Sequence, residues 1–171
     1  MSGPIRVLFL CVHNSARSQM AEGFLHHHGG DRFEVASAGS APAAAVRPLA
    51  VRVMAQHGVD VSAQRPKHQD ELANHHWDYV ITTCDESREA CPVFPGAPEQ
   101  IHWRFDDPSA AEGSEAERER VYFRVAREID ARVRLFVNTV ARRPAARAGA
   151  TSIEDAVRDI VNGVDEPAGR G

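Results

Sequence analysis

Eight consecutive residues near the start of the chain combine a nucleophile, a loop of small and polar residues, and an arginine. The stretch reads Cys11-Val12-His13-Asn14-Ser15-Ala16-Arg17-Ser18. It follows an apolar run and precedes a helical pattern, so loop N–H groups and a helix N-terminus can surround an anion. Arg17 can hold two anion oxygens with its planar guanidinium. Cys11, in the same positive field, is expected to be a thiolate nucleophile, although a cysteine that ends a strand can also be a plain core residue.

Two further cysteines and an Asp-Pro pair are the other candidate chemical groups. The chain has three cysteines, an odd number that does not suggest a secreted disulfide framework. Cys84 and Cys91 can serve redox chemistry, hold a soft metal or fill the core, and a zinc site is weakly supported because no histidine lies at ligand spacing. Asp107 precedes Pro108, where a carboxyl group can donate a proton or start a turn. The neighbouring Asp106 is the alternative acid.

Strands that alternate with helices position these groups. Apolar and β-branched runs predict four strands over residues 5–10, 33–38, 79–83 and 100–105. Helical spacing and capping residues predict helices over residues 17–28, 48–57 and 114–137, with a short one over 70–75. The alternation predicts an α/β fold with a parallel, doubly wound sheet. Because the carboxyl ends of parallel strands meet at one edge, Cys11, Cys84 and Asp107 are expected to converge there.

These motifs resemble the low-molecular-weight protein tyrosine phosphatase superfamily and, within it, the thioredoxin-coupled arsenate reductases. Residues 11–18 match the phosphate-binding loop of the family, Asp107-Pro108 its general-acid motif, and Cys84 with Cys91 the redox pair of the reductases. The resemblance covers about residues 5–137. It implies a three-layer α/β/α fold with a four-stranded parallel sheet in the order 2-1-3-4. Strands 1 and 3 are then neighbours, which brings Cys84 towards Cys11.

The resemblance implies that arsenate is reduced to arsenite by successive thiolate attacks. Cys11 attacks the arsenic while Asp107 protonates the departing oxygen, and Arg17 with the loop N–H groups holds the negative charge. Cys84 then attacks the Cys11 sulfur, which releases arsenite and leaves a transient Cys11–Cys84 disulfide. Cys91 attacks Cys84, and thioredoxin reduces the resulting Cys84–Cys91 disulfide.

Two other functions would use the same groups. A low-molecular-weight phosphatase would hydrolyse a phosphocysteine formed on Cys11, and the shared first step predicts weak phosphatase activity in any case. However, Ser109 stands where such phosphatases often have an aromatic residue, and they have no use for the second cysteine pair. A non-catalytic arsenite or soft-metal sensor would use the three thiols but leaves Arg17 and Asp107 unexplained.

The spacing of Cys84 and Cys91 makes a demand on local structure. Residues seven apart on an intact α-helix are separated by about 10.5 Å along the axis. A disulfide needs Cα atoms within about 7 Å. Residues 84–92 have a polar helical pattern, so oxidation must unwind this segment unless it is already a loop. We expect a redox-driven change of order here that presents the disulfide to the reductant.

No bound cofactor or metal is expected. Some thioredoxin-coupled relatives bind potassium beside the loop through an acidic residue in the segment after the second helix. Lys67 stands at that place here, so we expect its ammonium to take over the electrostatic role and do not expect a potassium site. Asn14 is expected to stabilise the loop by hydrogen bonds. The histidines at 26–28 are adjacent on a helix and point in different directions, so they do not form a metal site.

The remaining features bound the class of protein. The domain is expected to cover residues 1–140, followed by a linker at 141–150 and a short amphipathic helix within the C-terminal extension, which ends at residue 171. A formal charge of −4 and dispersed basic residues argue against a nucleic-acid partner. No apolar run approaches the roughly 20 residues of a membrane span, and no signal peptide is evident. We therefore expect a cytoplasmic protein without a membrane partner.

Overall fold

The computed structural model describes residues 3–85, 90–96 and 99–142. Most of the predicted linker and the whole predicted C-terminal helix lie outside these ranges. The elements are β1 (Ile5–Cys11), α1 (Arg17–Gly29), β2 (Phe33–Gly39), α2 (Pro48–Gln56), β3 (Tyr79–Thr82), β4 (Glu99–His102) and α3 (Glu115–Ala141). Three 3₁₀ turns cover Gly30–Arg32, Gln69–Leu72 and Pro108–Ala110.

The four strands form one parallel sheet in the order β2-β1-β3-β4, which confirms the predicted topology. The central strand β1 is apolar because both of its faces are covered. Val7 and Phe9 belong to the large core shared with α1, α2 and α3. Leu8 and Leu10 point the other way, since side chains alternate along a strand, and they pack with Trp77 and neighbouring residues near the 3₁₀ turn Gln69–Leu72. Residues on both faces of the sheet therefore pack against β1 up to Leu10, directly before Cys11.

Strand β4 is shorter than the sequence pattern predicts. It ends at His102 rather than at residue 105. Trp103 still donates a backbone hydrogen bond to Thr82 (2.7 Å), and the chain then leaves the sheet. Trp103 and Phe105 are buried in the core on the helical side, so their alternation reflects packing and not strand pairing.

The last helix is longer than predicted. It begins after Ser114, whose side chain accepts a hydrogen bond from the Glu117 N–H in a capping box, and it continues to Ala141 rather than stopping at Val137. Val140 in the added turn is buried, which explains why the helix continues. The predicted short helix at 70–75 is a 3₁₀ turn over Gln69–Leu72. Across the described ranges, no helix has the length and apolar character needed to cross a membrane.

Candidate active site

The loop after β1 is anchored by its carbonyl oxygens. Three of them accept hydrogen bonds from the segment that follows β2: Val12 from the Ala41 N–H (2.9 Å), His13 from Ala43 (2.9 Å) and Ser15 from Arg47 (2.8 Å). In a trans peptide the N–H points away from the C=O of the same unit. The amides that follow these carbonyls therefore face away from that segment. This orientation leaves loop N–H groups available for an anion.

Gly39 at the end of β2 permits the close approach of the loop. A Cβ atom at this position would lie 2.4 Å from the Val12 carbonyl oxygen and 3.0 Å from that of Cys11. The Gly39 N–H donates to the Lys67 carbonyl oxygen (2.9 Å). The strand register pairs Gly39 with Cys11, so the glycine lies directly beside the candidate nucleophile.

Cys11 is a buried free cysteine whose sulfur has two hydrogen-bond partners. The Asn14 N–H donates to its Sγ at 3.1 Å, and the Ser18 Oγ lies 2.8 Å away. The Asn14 Nδ2 donates to the Ser18 Oγ (2.8 Å), so the hydroxyl proton of Ser18 is free to point at the sulfur. Both contacts can direct a hydrogen-bond donor at the sulfur.

Asn14 lies at the centre of a buried polar network. Its backbone has a left-handed φ of 49°, which asparagine tolerates better than most residues. Its Oδ1 accepts hydrogen bonds from the Lys67 N–H and the Gln19 Nε2, both at 3.0 Å. The Gln64 Nε2 donates in turn to the Gln19 Oε1 (2.7 Å). Gln19 and Gln64 were not identified from the sequence; the signal for Gln19 was a polar residue directly after the motif at an otherwise buried helix position.

Replacing Asn14 with alanine is expected to lower the free energy of unfolding by about 2–4 kcal/mol. Alanine tolerates the left-handed backbone at position 14 less well than asparagine does. The substitution also leaves the Lys67 N–H, the Gln19 Nε2 and the Ser18 Oγ without the partners that the Asn14 side chain provides. Denaturant unfolding measures the change. The matched control is Asn74→Ala at an exposed position, which should change stability by less than about 0.5 kcal/mol. Equal stabilities of the two variants would contradict this role for Asn14.

Arg17 begins α1 and is almost completely buried. Its Nη1 donates to the Phe105 carbonyl oxygen (3.3 Å), and its Nη2 lies 3.8 Å from the Asp107 Oδ2. The other Asp107 oxygen accepts hydrogen bonds from the Ser109 N–H (3.0 Å) and Oγ (2.7 Å). These contacts orient a partly exposed carboxyl group towards the guanidinium. By contrast, the Asp106 carboxylate pairs with Arg124 (3.4 Å) at the surface.

Cys84 follows the strand next to that of Cys11. The register pairs Leu10 with Thr82, and the Thr83 N–H donates to the Leu10 carbonyl oxygen (2.8 Å). Cys84 is fully buried and forms a disulfide with Cys91, with Cα atoms 5.8 Å apart. The described residues that flank the bond, 83–85 and 90–96, are not helical, as the distance argument requires. The redox-driven change of order stays a prediction, because residues 86–89 lie outside the description.

Lys67 places a cation behind the loop. Its Nζ donates to the carbonyl oxygens of Ser37 (2.8 Å) and Arg65 (3.2 Å). The Glu22 carboxylate accepts a hydrogen bond from the Ser37 hydroxyl. Burial raises the pKa of Glu22 and the Lys67 ammonium opposes that rise, while burial lowers the pKa of Lys67. Among the described residues, no group of three or more His, Cys, Asp or Glu side chains could hold a metal ion.

The fold and this site define a class of protein in which a strand ends in a cysteine, a loop can surround an oxyanion and a buried arginine begins the next helix. Residues 6–146 match the model of the low molecular weight phosphotyrosine protein phosphatase family, and the chain belongs to that family. The match extends beyond Val137, where the resemblance seen in the sequence ends. The added residues include the last turn of α3, which ends at Ala141.

Several relatives of this chain are named arsenate reductases. The chain is 44% identical over 135 residues to a protein of Shouchella clausii named arsenate reductase, with 78% of this chain and 95% of the relative covered. An arsenate reductase structure from Archaeoglobus fulgidus is 31% identical, with a TM-score of 0.66 and coverage of 77% of this chain and 98% of that one. A thioredoxin-dependent arsenate reductase structure from Corynebacterium glutamicum is 33% identical, with a TM-score of 0.63 and coverage of 82% and 63%. The predicted family and the predicted group of relatives are both confirmed.

Proposed function

We propose that this protein is an arsenate reductase that uses three cysteines in sequence and thioredoxin as the reductant. The observation that carries the proposal is the Cys84–Cys91 disulfide at the end of the strand next to the one that ends in Cys11. The family as a whole supplies oxyanion binding and thiolate attack, whereas a second cysteine pair at this edge supplies the means of reduction. The names of relatives that are 35–44% identical support the same function.

The first step is substitution at arsenic. The Cys11 thiolate forms a sulfur–arsenic bond, and an oxygen departs as water with a proton from Asp107. Arg17 and the loop N–H groups hold the remaining oxygens throughout the step. Ser109 orients Asp107 through the two hydrogen bonds described above, so the proton donor is held beside Arg17.

The second step transfers the electrons. The Cys84 thiolate attacks the Cys11 sulfur, a disulfide forms, and the electron pair of the breaking sulfur–arsenic bond stays with arsenic. Arsenic(V) becomes arsenic(III) and leaves as arsenite, while two thiols are oxidised. Cys91 then displaces Cys11 from Cys84, which gives the disulfide seen in the structure. Thioredoxin reduces that bond, and because the cycle needs reduced cysteines we place it in the reducing cytoplasm.

The shared first step predicts only a side activity towards phosphoesters. A phosphocysteine on Cys11 can be hydrolysed, but phosphorus(V) is not reduced by thiols, so the Cys84–Cys91 pair has no part in that reaction. In addition, the Ser109 hydroxyl donates to Asp107 and offers no aromatic surface to a phosphotyrosine ring. Reduction of arsenate uses all three cysteines and is therefore the main function.

The test is turnover of arsenate by the complete chain with thioredoxin, thioredoxin reductase and NADPH. We expect one arsenite for each NADPH consumed, and no sustained turnover when thioredoxin is left out. Hydrolysis of a small aryl phosphate is measured in parallel and should be slow. The proposal is overturned if aryl phosphate is hydrolysed rapidly and no arsenite forms.

Lys67 is proposed to replace a monovalent cation. We expect potassium to raise the melting temperature of wild type no more than choline does at equal ionic strength, because the ammonium already occupies the space beside Ser37. In Lys67→Met the half-buried Glu22 loses its cation, so stability should fall and potassium should restore part of it. Melting curves in the two chloride salts measure the effect. A potassium-specific increase in wild type would refute the replacement.

A further inference from the structure

A second cavity lies behind the Asp107-Pro108 turn and outside the loop of Cys11. It has a volume of about 380 Å³ and is bounded by the start of α2, the 3₁₀ turn Pro108–Ala110 and the first turns of α3. Four of its lining residues carry side-chain hydrogen-bond donors: Arg47, Ser109, Arg118 and Tyr122; the Ser109 hydroxyl already donates to Asp107. The apolar part of the wall is formed by Pro48, Leu49, Pro108 and Ala111. No residue of the 11–18 loop lines this cavity.

Tyr122 is the buried donor of the cavity. Only 4% of its surface is exposed, and its hydroxyl group has no hydrogen-bond partner within the described ranges. Burial is the main cause that raises the pKa of this phenol; the charges of Arg47 and Arg118 act against the rise, and the Asp107 carboxylate adds to it. Both arginines line the same cavity as this hydroxyl. The hydroxyl oxygen is not one of the sealed-in polar atoms of the described residues, so it can reach the cavity, where a ligand would supply a partner.

The charge of the cavity is positive. Neither Arg47 nor Arg118 has an ion pair or a side-chain hydrogen bond with another described residue. Glu115 is the one acidic residue that lines the cavity in the described part of the chain, and its carboxylate pairs with Arg52 (3.0 Å). The two arginines consequently keep their full capacity to bind an anion.

We propose that this cavity binds a small organic oxyanion of the phosphate monoester or phosphonate class. Arg47 and Arg118 contact the oxygens of the head group, and the Tyr122 hydroxyl donates a third hydrogen bond. The organic part packs against the apolar wall, and the volume is larger than an inorganic oxyanion needs. Inorganic phosphate has the same head group without that packing, so we expect it to bind more weakly. The cavity lies outside the Cys11 loop, although Ser109, which orients Asp107, also lines it, and the proposal does not depend on the function proposed above.

The test is a titration with phenylphosphonate, and in parallel with inorganic phosphate, followed by NMR. The Nε–H signals of Arg47 and Arg118 report on the cavity, and the amide signals of residues 12–16 report on the loop. We expect two binding curves with different midpoints, and a cavity midpoint about tenfold lower for phenylphosphonate than for phosphate. Arg118→Gln and Tyr122→Phe should each weaken the cavity curve about tenfold and leave the loop curve unchanged. Arg120→Gln is the matched control, because Arg120 lines a different groove on the same helix.

Three results would overturn the proposal. The arginine signals could follow the loop curve, which means that there is no separate site. They could fail to shift with either ligand. They could respond equally to phosphate and phenylphosphonate, which would show that the organic part of the ligand adds nothing to binding. Because binding is read directly, a failed arsenate assay leaves this test unaffected.

Discussion

Replacing Cys11 with serine is expected to abolish arsenate turnover, with a loss of about 10⁴-fold or more. A serine hydroxyl is a far weaker nucleophile than a thiolate and cannot form the disulfide that carries the electrons. The contacts of the sulfur with the Asn14 N–H and the Ser18 hydroxyl can still be made by an oxygen, so the loop should keep its shape. The measurement is arsenite formation in the thioredoxin-coupled assay.

The control for this variant is anion binding by the loop. Phosphate should shift the amide signals of residues 12–16 in Cys11→Ser as it does in wild type, which shows that the loop is intact. Substantial arsenite formation by a correctly folded Cys11→Ser protein would contradict the assignment of the nucleophile.

Replacing Arg17 with lysine is expected to lower kcat/KM for arsenate by about 10²- to 10³-fold, the loss typical of removing one donor that stabilises developing negative charge. Lysine keeps the positive charge but has no planar pair of donors. It also loses the present geometry, in which one side of the guanidinium donates to the Phe105 carbonyl oxygen while the other faces Asp107. Initial rates over a range of arsenate concentrations measure the change.

The matched control is Arg6→Lys. Arg6 pairs with Glu34 on the exposed surface near the start of β1, far from the carboxyl edge of the sheet. The same chemical change there should leave kcat/KM within about twofold of wild type. If both variants lose activity equally, the effect at Arg17 is not due to its contact with the anion.

The sheet and the position of the loop could be predicted from the sequence because both depend on local patterns. A strand that is apolar from Val7 to Cys11, such as β1, indicates burial on both faces, and the alternation of strands with helices predicts parallel pairing. The carboxyl edge then collects Cys11, Cys84 and Asp107 without any further information. The choice of Asp107 over Asp106 came from the family motif and stays a prediction; in the structure Asp107 lies beside Arg17, whereas Asp106 pairs with Arg124.

The supporting residues could not be predicted because their roles depend on distant contacts. Gln64 reaches the loop only through Gln19, which is 45 positions away in the chain. Gly39 has an obvious role as a strand terminator, and only the three-dimensional approach of Val12 explains why a side chain would not fit. The end of β4 was overestimated for a related reason, since buried aromatic residues mimic the alternation of a strand. The cavity near Tyr122 joins three elements and leaves no pattern in the sequence.

Trapping the first disulfide tests the central claim most directly. Reduced Cys91→Ser protein is treated with arsenate in the absence of thioredoxin, and the products are analysed by arsenic speciation and by mass spectrometry of disulfide-linked peptides. The relay predicts one arsenite per protein molecule and a Cys11–Cys84 disulfide, with no normal cycling when thioredoxin is added. Absence of arsenite while Cys11 and Cys84 remain free thiols, or normal multiple turnover with thioredoxin, would contradict the relay.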